Sequence, residues 1–321
     1  LKQAAVFLTN PTWTTQLFET MKISALRDRI DAHLAAGRKL VIFHDRMHET
    51  ASTMDDQGRG LPPVGPPFKT LLDVALSMGD ASTLIAATLF KQQFGDILQW
   101  EAGLDYRPVH EQVIDMFATA KDRENLAKEK EAWKKDVEAW KKKCEKIRRE
   151  NPTMSEEALH EKFPPIPREP KLKAESVATY NGECSDKQKS EAKTAFNDDN
   201  SKVKIICVTT RSGGAGLSLH DTTGKHPRVM IQTALPVSPI GFIQAEGRIF
   251  RFGNKSNAVF EYPRLGIDLE AYVFAVNFNK KAETVENLAH GTRGRGLKDS
   301  IMTGFYENSG NVPLDGQGIG G

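Results

Sequence analysis

Hydrophobic residues recur at Ile23, Leu26, Ile30 and Leu34, the spacing of a helix with one apolar face over Ile23 to Ala36, and Gly37 stands where that helix would stop. Lys39 to Phe43 (KLVIF) then forms a short apolar run, the pattern of a strand buried on both faces of a parallel sheet. From Glu49 to Pro67 the chain gathers Gly58, Gly60, Pro62, Pro63, Gly65, Pro66 and Pro67, which predict a loop or linker. Helical spacing returns from Phe68 to Trp100 and from Arg107 to Ala120, the latter carried by Val109, Val113, Ile114 and Phe117. Lys121 to Glu150 is dominated by Lys and Glu, with a sparse stripe at Trp133, Val137, Trp140 and Cys144. One long, largely solvated helix is expected there, its tryptophans serving as packing residues. Pro152, Pro164, Pro165, Pro167 and Pro170 end helical structure.

Beyond the prolines, strands and helices alternate. Glu175 to Gly182 reads as a strand ending in a turn, and Ser185 with Gln188 makes a capping box that opens a helix through Phe196. Val203 to Val208 is a second buried strand, followed by the glycine-rich RSGGAG. Val229 to Thr233 is a third, and Ser238 with Pro239 starts a helix through Arg251. This order predicts an α/β fold with a parallel sheet, interrupted by a large, mainly helical insertion. The expected division is residues 1–44 and 174–290 as the α/β domain, 45–173 as the insertion with proline-rich borders, and 291–321 as a Gly-rich flexible tail.

Composition narrows the classes. An apolar fraction of 39% excludes wholesale disorder, and no apolar run approaches the ~18 residues of a membrane span. With 44 Lys+Arg against 42 Asp+Glu the net charge is +2, so any nucleic-acid surface must be local. Three cysteines without a CxxC pair predict free thiols, neither a disulfide framework nor a zinc site. The amino-terminal residues lack the pattern of a secretory signal, so an intracellular, non-secreted protein is expected, and Leu1 in place of Met fits a piece of a larger one. His44 and His48 lie four apart without a third ligand, so no metal site is expected. Arg293, Arg295 and Lys298 among glycines suit either a phosphate grip or a solvated tail.

The chemistry concentrates in two segments. Thr209 to Leu217 (TTRSGGAGL) places a glycine-rich loop at the carboxyl end of a buried strand, where open α/β sheets bind ligands, although such loops also serve simply as tight bends. The helix after the next strand is more telling. Gln244, Gly247, Arg248 and Arg251 lie at i, i+3, i+4 and i+7, so one face presents two guanidinium groups and an amide where a core helix would be apolar. Arginines so placed meet carboxylates or phosphates.

Taken in order, VIFH, the YNG turn, the helix ending at Phe196, TTRSGGAGLSL, an apolar strand and QAEGRIFR resemble the motif order of the second RecA-like domain of superfamily 2 helicases and translocases. TTRSGGAGLSL is similar to motif V of Swi/Snf-type and strawberry-notch-type DNA-dependent ATPases, and QAEGRIFR to their motif VI, QxxGRxxR. Phe250 departs from the pattern, standing where those families carry His. The resemblance covers Arg38 to His44 and Val177 to Phe252. It implies a RecA-like sheet, with ATP held between two such domains, the first supplying the P-loop and the acidic Mg²⁺-binding residues. Arg248 and Arg251 would then be catalytic at the γ-phosphate, an arginine-finger effect typically worth ~10³ to 10⁵ in rate, with Gln244 sensing the nucleotide. The resemblance further implies nucleotide contacts for Gly216, Gly247 and Asp221. It implies nucleic-acid backbone contacts for Thr209, Thr210, Arg211, Gly213, Gly214 and His44, which would fix position without reading sequence. The implied partners are DNA, duplex ahead of single strands, with RNA as the alternative, and an amino-terminal RecA-like domain.

No GxxxxGK[ST] occurs in the chain: GTRGRGLKDS (Gly291 to Ser300) and TTGKHP (Thr222 to Pro227) fail its spacing or its ending. There is no DExx box, Asp55-Asp56 falling in the predicted linker and Asp198-Asp199 in a polar turn. Half an ATPase site is therefore expected, inactive alone: the carboxyl-terminal motor half of an ATP-dependent DNA helicase or translocase. A non-catalytic nucleic-acid-binding or assembly module of the same fold and an RNA-directed motor are the competing readings.

Overall fold

The computed structural model describes residues 11–45 and 102–265, except 153, 156–157, 160–161, 211, 213–216 and 234–238, together with scattered positions between 84 and 99. The predicted linker at 49–67, the start of the helical region after it, Ser238 and the tail at 291–321 lie outside the described residues. Two compact units are present, one formed by residues 1–110 with 178–321 and the other by 111–177.

The first unit is built on a five-stranded sheet of order β2-β3-β1-β4-β5, with β1 Lys39–His44, β2 Val177–Tyr180, β3 Ile205–Thr209, β4 Arg228–Gln232 and β5 Val259–Glu261. The pairs β1–β3, β1–β4 and β4–β5 are parallel, with Ile42 opposite Cys207 on one side and Ile231 on the other. Every residue of β1, β3 and β4 is buried, as continuous apolar runs predict, whereas β5, on the edge, is only half-buried. This is the α/β fold with a RecA-like parallel sheet, and the helices between β1 and β2 interrupt it.

Two helices precede β1. Where the sequence predicted one helix over residues 23–36, α1 Pro11–Ala25 and α2 Arg27–Ala35 are separated at Leu26. Gly37, two residues past the end of α2, has a φ of +72° that allows Arg38 N–H to reach the His33 carbonyl at 3.1 Å and Gly37 N–H the Leu34 carbonyl at 3.0 Å. This Schellman closure turns the chain directly into β1.

One sheet face packs Val41, Phe43, Ile206, Val208 and Met230 against Phe196 of α5 (Asp186–Asn197) and against Ala245 and Ile249 of α6 (Pro239–Ile249). Ser185 caps α5 through the predicted reciprocal box with Gln188. At the amino edge of the sheet Lys39 and Arg228 lie side by side in register, both buried. Lys39 donates to the carbonyls of Phe196 and Asp198 at 2.7 Å each, and Arg228 to those of Leu219 and His226 at 2.9 Å each. Both cations lie over the Phe196 ring, at 5.6 and 5.0 Å. All three cysteines are free, and burial pushes the Cys207 thiol up, out of the reactive range.

In the second unit, α4 (Ala120–Glu150) follows α3 (Val109–Phe117) and opens on a capping box between Thr119 and Asp122. No residue of α4 is fully buried. Its half-buried stripe receives the returning proline-rich segment: Trp140 Nε1 donates to the Pro164 carbonyl at 2.6 Å and Trp133 Nε1 to that of Pro167 at 3.0 Å, while Lys130 pairs with Glu169 at 2.9 Å. An extended segment advances about 3 Å per residue and a helix 1.5 Å, so a handful of strap residues covers about ten residues of helix.

Candidate functional site

α6 turns Ala245 and Ile249 into the core, 4% and 0% exposed, and so directs the opposite face outward. Gln244 is exposed on that face, Gly247 and Arg248 are half-buried, and Arg251 is exposed. The helix ends at Ile249, two residues before the predicted end at Arg251, and the chain turns through Gly253 at φ +91°. Arg251 therefore projects from the turn after the helix.

Both arginines meet the strand-like tail of the glycine-rich segment. Arg248 Nη1 donates to the Leu217 carbonyl at 3.3 Å, and the Arg248 carbonyl accepts from Leu219 N–H at 2.8 Å. Arg251 Nη1 donates to Ser218 Oγ at 3.3 Å, and Ser218 Oγ lies 2.9 Å from His220 Nδ1. Arginine can only donate, so Ser218 Oγ accepts from Arg251 and bridges it to the His220 ring. Burial first, then repulsion from Arg251 and Arg228, holds His220 below the usual histidine range. Burial and the neighbouring Arg251 likewise lower Arg248. Two guanidinium groups that repel each other at one edge form a site that an anion would relieve.

The other residues singled out in the sequence fall as follows. Thr209 is buried at the end of β3, opposite His44. Thr210 N–H donates to the His44 carbonyl at 2.9 Å, which carries the backbone across the carboxyl ends of β3 and β1. The His44 ring is buried and stacked on His110, with centroids 5.1 Å apart. Its contribution at this surface is its carbonyl. Asp221 is buried, and its Oδ1 accepts from Thr223 N–H, Thr223 Oγ1 and Gly224 N–H at 2.9 to 3.1 Å, which closes the turn before β4. Arg211, Gly213, Gly214 and Gly216 lie outside the described residues. A methyl group built on Gly247 would meet nothing within 4 Å among the described residues, which therefore do not require glycine there.

Sequence reasoning missed Ser218, His220 and Glu246. Glu246 accepts from the Tyr262 hydroxyl, which ties α6 to the segment after β5. It also missed the polar end of α1: Glu19 Oε1 accepts from Thr233 Oγ1 at 3.1 Å and Asp45 N–H at 2.8 Å, and Lys22 Nζ donates to the Thr233 carbonyl at 3.0 Å. These buried groups close the carboxyl ends of β1 and β4. The only signal for Ser218 and His220 was their place directly after the glycine-rich loop. Among the described residues no group of three or more His, Cys, Asp or Glu side chains converges on a metal site, and no helix is long and apolar enough to cross a membrane.

Comparison with known proteins agrees with the motif order. Residues 146–253 match the family described as the helicase conserved C-terminal domain. A 53-residue stretch is 49% identical to a putative ATP-dependent RNA helicase of Acanthamoeba polyphaga mimivirus, covering 16% of this chain and 10% of that protein. The C-terminal part of the Fun30 ATPase domain is similar over 40% of both chains, at 15% identity and a TM-score of 0.28. Dbp5 from S. cerevisiae, bound to RNA and ADP BeF3, is similar over 40% of this chain and 32% of its own, at 12% identity and a TM-score of 0.27. Residues 146–253 thus resemble the helicase conserved C-terminal domain, and the matching stretch spans a tenth of the mimiviral relative.

Proposed function

We propose that this helicase C-terminal domain is the second motor half of an ATP-dependent DNA helicase or translocase, completed by a RecA-like domain that carries the P-loop. The observation behind this reading is the pair of arginines at the exposed edge of α6, both tied to the tail of the glycine-rich loop. Two mutually repelling guanidinium groups fit a polyphosphate. In this reading Arg251, solvent-exposed and weakly held, reaches the transferring phosphoryl group, while the more buried Arg248 fixes the edge from which it acts. Gln244 and Gly247 face the nucleotide beside them. Mg²⁺ would neutralise the polyphosphate from the P-loop domain, which supplies the carboxylates.

Thr209, Thr210, Arg211, Gly213 and Gly214 are assigned to the nucleic-acid backbone, with Gly216 towards the nucleotide. The Leu217 to His220 segment links the two, because it contacts both arginines directly. His44 enters through its carbonyl, which positions Thr210, and Asp221 by shaping the turn beneath the arginine edge. An RNA-directed motor is the second reading, favoured by the name of the mimiviral relative. The test is hydrolysis by the protein joined to its P-loop domain. Arg248→Ala and Arg251→Ala should each abolish turnover while far-UV circular dichroism is preserved, and wild-type turnover in either would sink the proposal. Stimulation by duplex DNA over RNA is the expected preference, and the reverse would select the RNA reading.

A further inference from the structure

The charges of α4 are unevenly distributed. From Ala120 to Trp140 six cations face six carboxylates, and they pair locally, Lys128 with Glu124 at 2.6 Å and Lys134 with Glu131 at 2.7 Å. From Lys141 to Arg149 six cations, Lys141, Lys142, Lys143, Lys146, Arg148 and Arg149, share the single carboxylate of Glu145. All of them are exposed. Lys146 reaches Glu150 at 3.7 Å, but Lys141, Lys142, Lys143 and Arg149 form no ion pair with a described residue.

Two bland explanations fail on magnitude and reach. Cations at a helix C-terminus interact with the macrodipole within the last turn, for about 0.3 to 1 kcal/mol each. That accounts for Arg148 and Arg149 but not for three lysines two turns upstream. Local pairing at i±3 and i±4 accounts for the first two-thirds of the helix, but from Lys141 onward only Glu138, Glu145 and Glu150 lie within that reach of six cations. The acids that come next in sequence, Glu156, Glu157 and Glu161, belong to the following segment and lie outside the described residues. The sides of the helix are also distinguished. Lys142, Lys146 and Arg149 lie at i, i+4 and i+7, on the side opposite Trp140, Cys144 and Ile147, which form the half-buried stripe. The strap thus holds the helix from behind and leaves the basic side open. Nine helical residues rise about 12 Å, comparable to a groove of duplex DNA, so cations around the exposed sides are spaced to meet phosphates of both strands.

We infer that the carboxyl-terminal third of α4 is a backbone-binding surface for duplex DNA, separate from the arginine edge. The inference rests on the nucleic-acid reading proposed above and adds a contact that it does not assign. The test is binding of the full chain to a mixed-sequence 30-bp duplex, by fluorescence anisotropy across 50 to 200 mM salt. Each phosphate contact contributes about 0.9 to the slope of log K against log salt. Replacing Lys141, Lys142, Lys143 and Arg149 together by Ala keeps helix propensity high and should reduce the slope by about 3 to 4, with at least a tenfold loss of affinity at 50 mM salt. Lys121, Lys128 and Lys134 replaced together by Ala, from the balanced part of the helix, should change it by less than about one. Far-UV circular dichroism verifies that the helix persists in both variants. An unchanged slope in the quadruple variant, or a loss confined to duplex RNA, would overturn the inference. Arg251→Ala separates the two readings: unimpaired hydrolysis in that variant would defeat the motor assignment and leave the salt-slope result standing.

Discussion

Gly247 sits in the last turns of α6 with no described residue within 4 Å of an added methyl group. Glycine costs a helix about 1 kcal/mol relative to alanine, so Gly247→Ala should stabilise the domain by roughly 0.5 to 1 kcal/mol in denaturant unfolding. If a nucleotide or the P-loop domain approaches this face, the same variant should lose turnover despite its higher stability. A variant both more stable and fully active would show that the face is not used. Lys39 makes a different prediction. Burial, with repulsion from Arg228 and Lys204 added, pushes its pKa down to about 8 from 10.5. Between those values the unfolded chain holds a proton that the folded chain has released, so stability rises with pH across the window and the penalty is fully present below it. The difference in melting temperature between wild type and Lys39→Met should therefore shift in favour of wild type from pH 8 to pH 10. A difference that does not move with pH would mean that Lys39 titrates normally. In the sequence this lysine reads as the polar start of a strand, and only its position over Phe196 shows otherwise.

Among the elements, those whose environment is uniform were the most legible. β1, β3 and β4 are buried on both faces, and their apolar runs announce it. α4 presents one half-buried stripe and is otherwise solvated, as its composition indicates. α1 was not foreseen in full because Glu19, Thr20 and Lys22, buried at the ends of strands, are polar and break the apolar periodicity. β5 escaped because three half-buried edge residues carry too little pattern. The near absence of burial along α4 predicts low local stability. Its amides should exchange with deuterium well before those of β1, β3 and β4, and Trp140→Ala, which removes the donor to the Pro164 carbonyl, should accelerate the exchange further. Protection in α4 equal to that of the central strands would contradict this.

For the molecule as a whole, the sequence singled out Arg248 and Arg251 by their helical spacing, and the structure places Arg248 in the last turn of α6 and Arg251 in the turn after it. The sequence did not reveal that Ser218, itself paired with His220, accepts from Arg251, since that contact exists only once the segment after β3 and the end of α6 are folded together. The parallel sheet places the arginine edge and the carboxyl ends of β1 and β3 in one unit, as the motor reading proposed above requires. The central claim is that Arg251 stabilises the transition state of ATP hydrolysis. Its most direct test is steady-state hydrolysis by the protein joined to its P-loop domain, with duplex DNA present, comparing wild type with Arg251→Ala. The account predicts a fall in kcat of about 10³ or more with KM for ATP changed only a few-fold. A variant that keeps wild-type kcat, or loses only affinity for ATP, would contradict it.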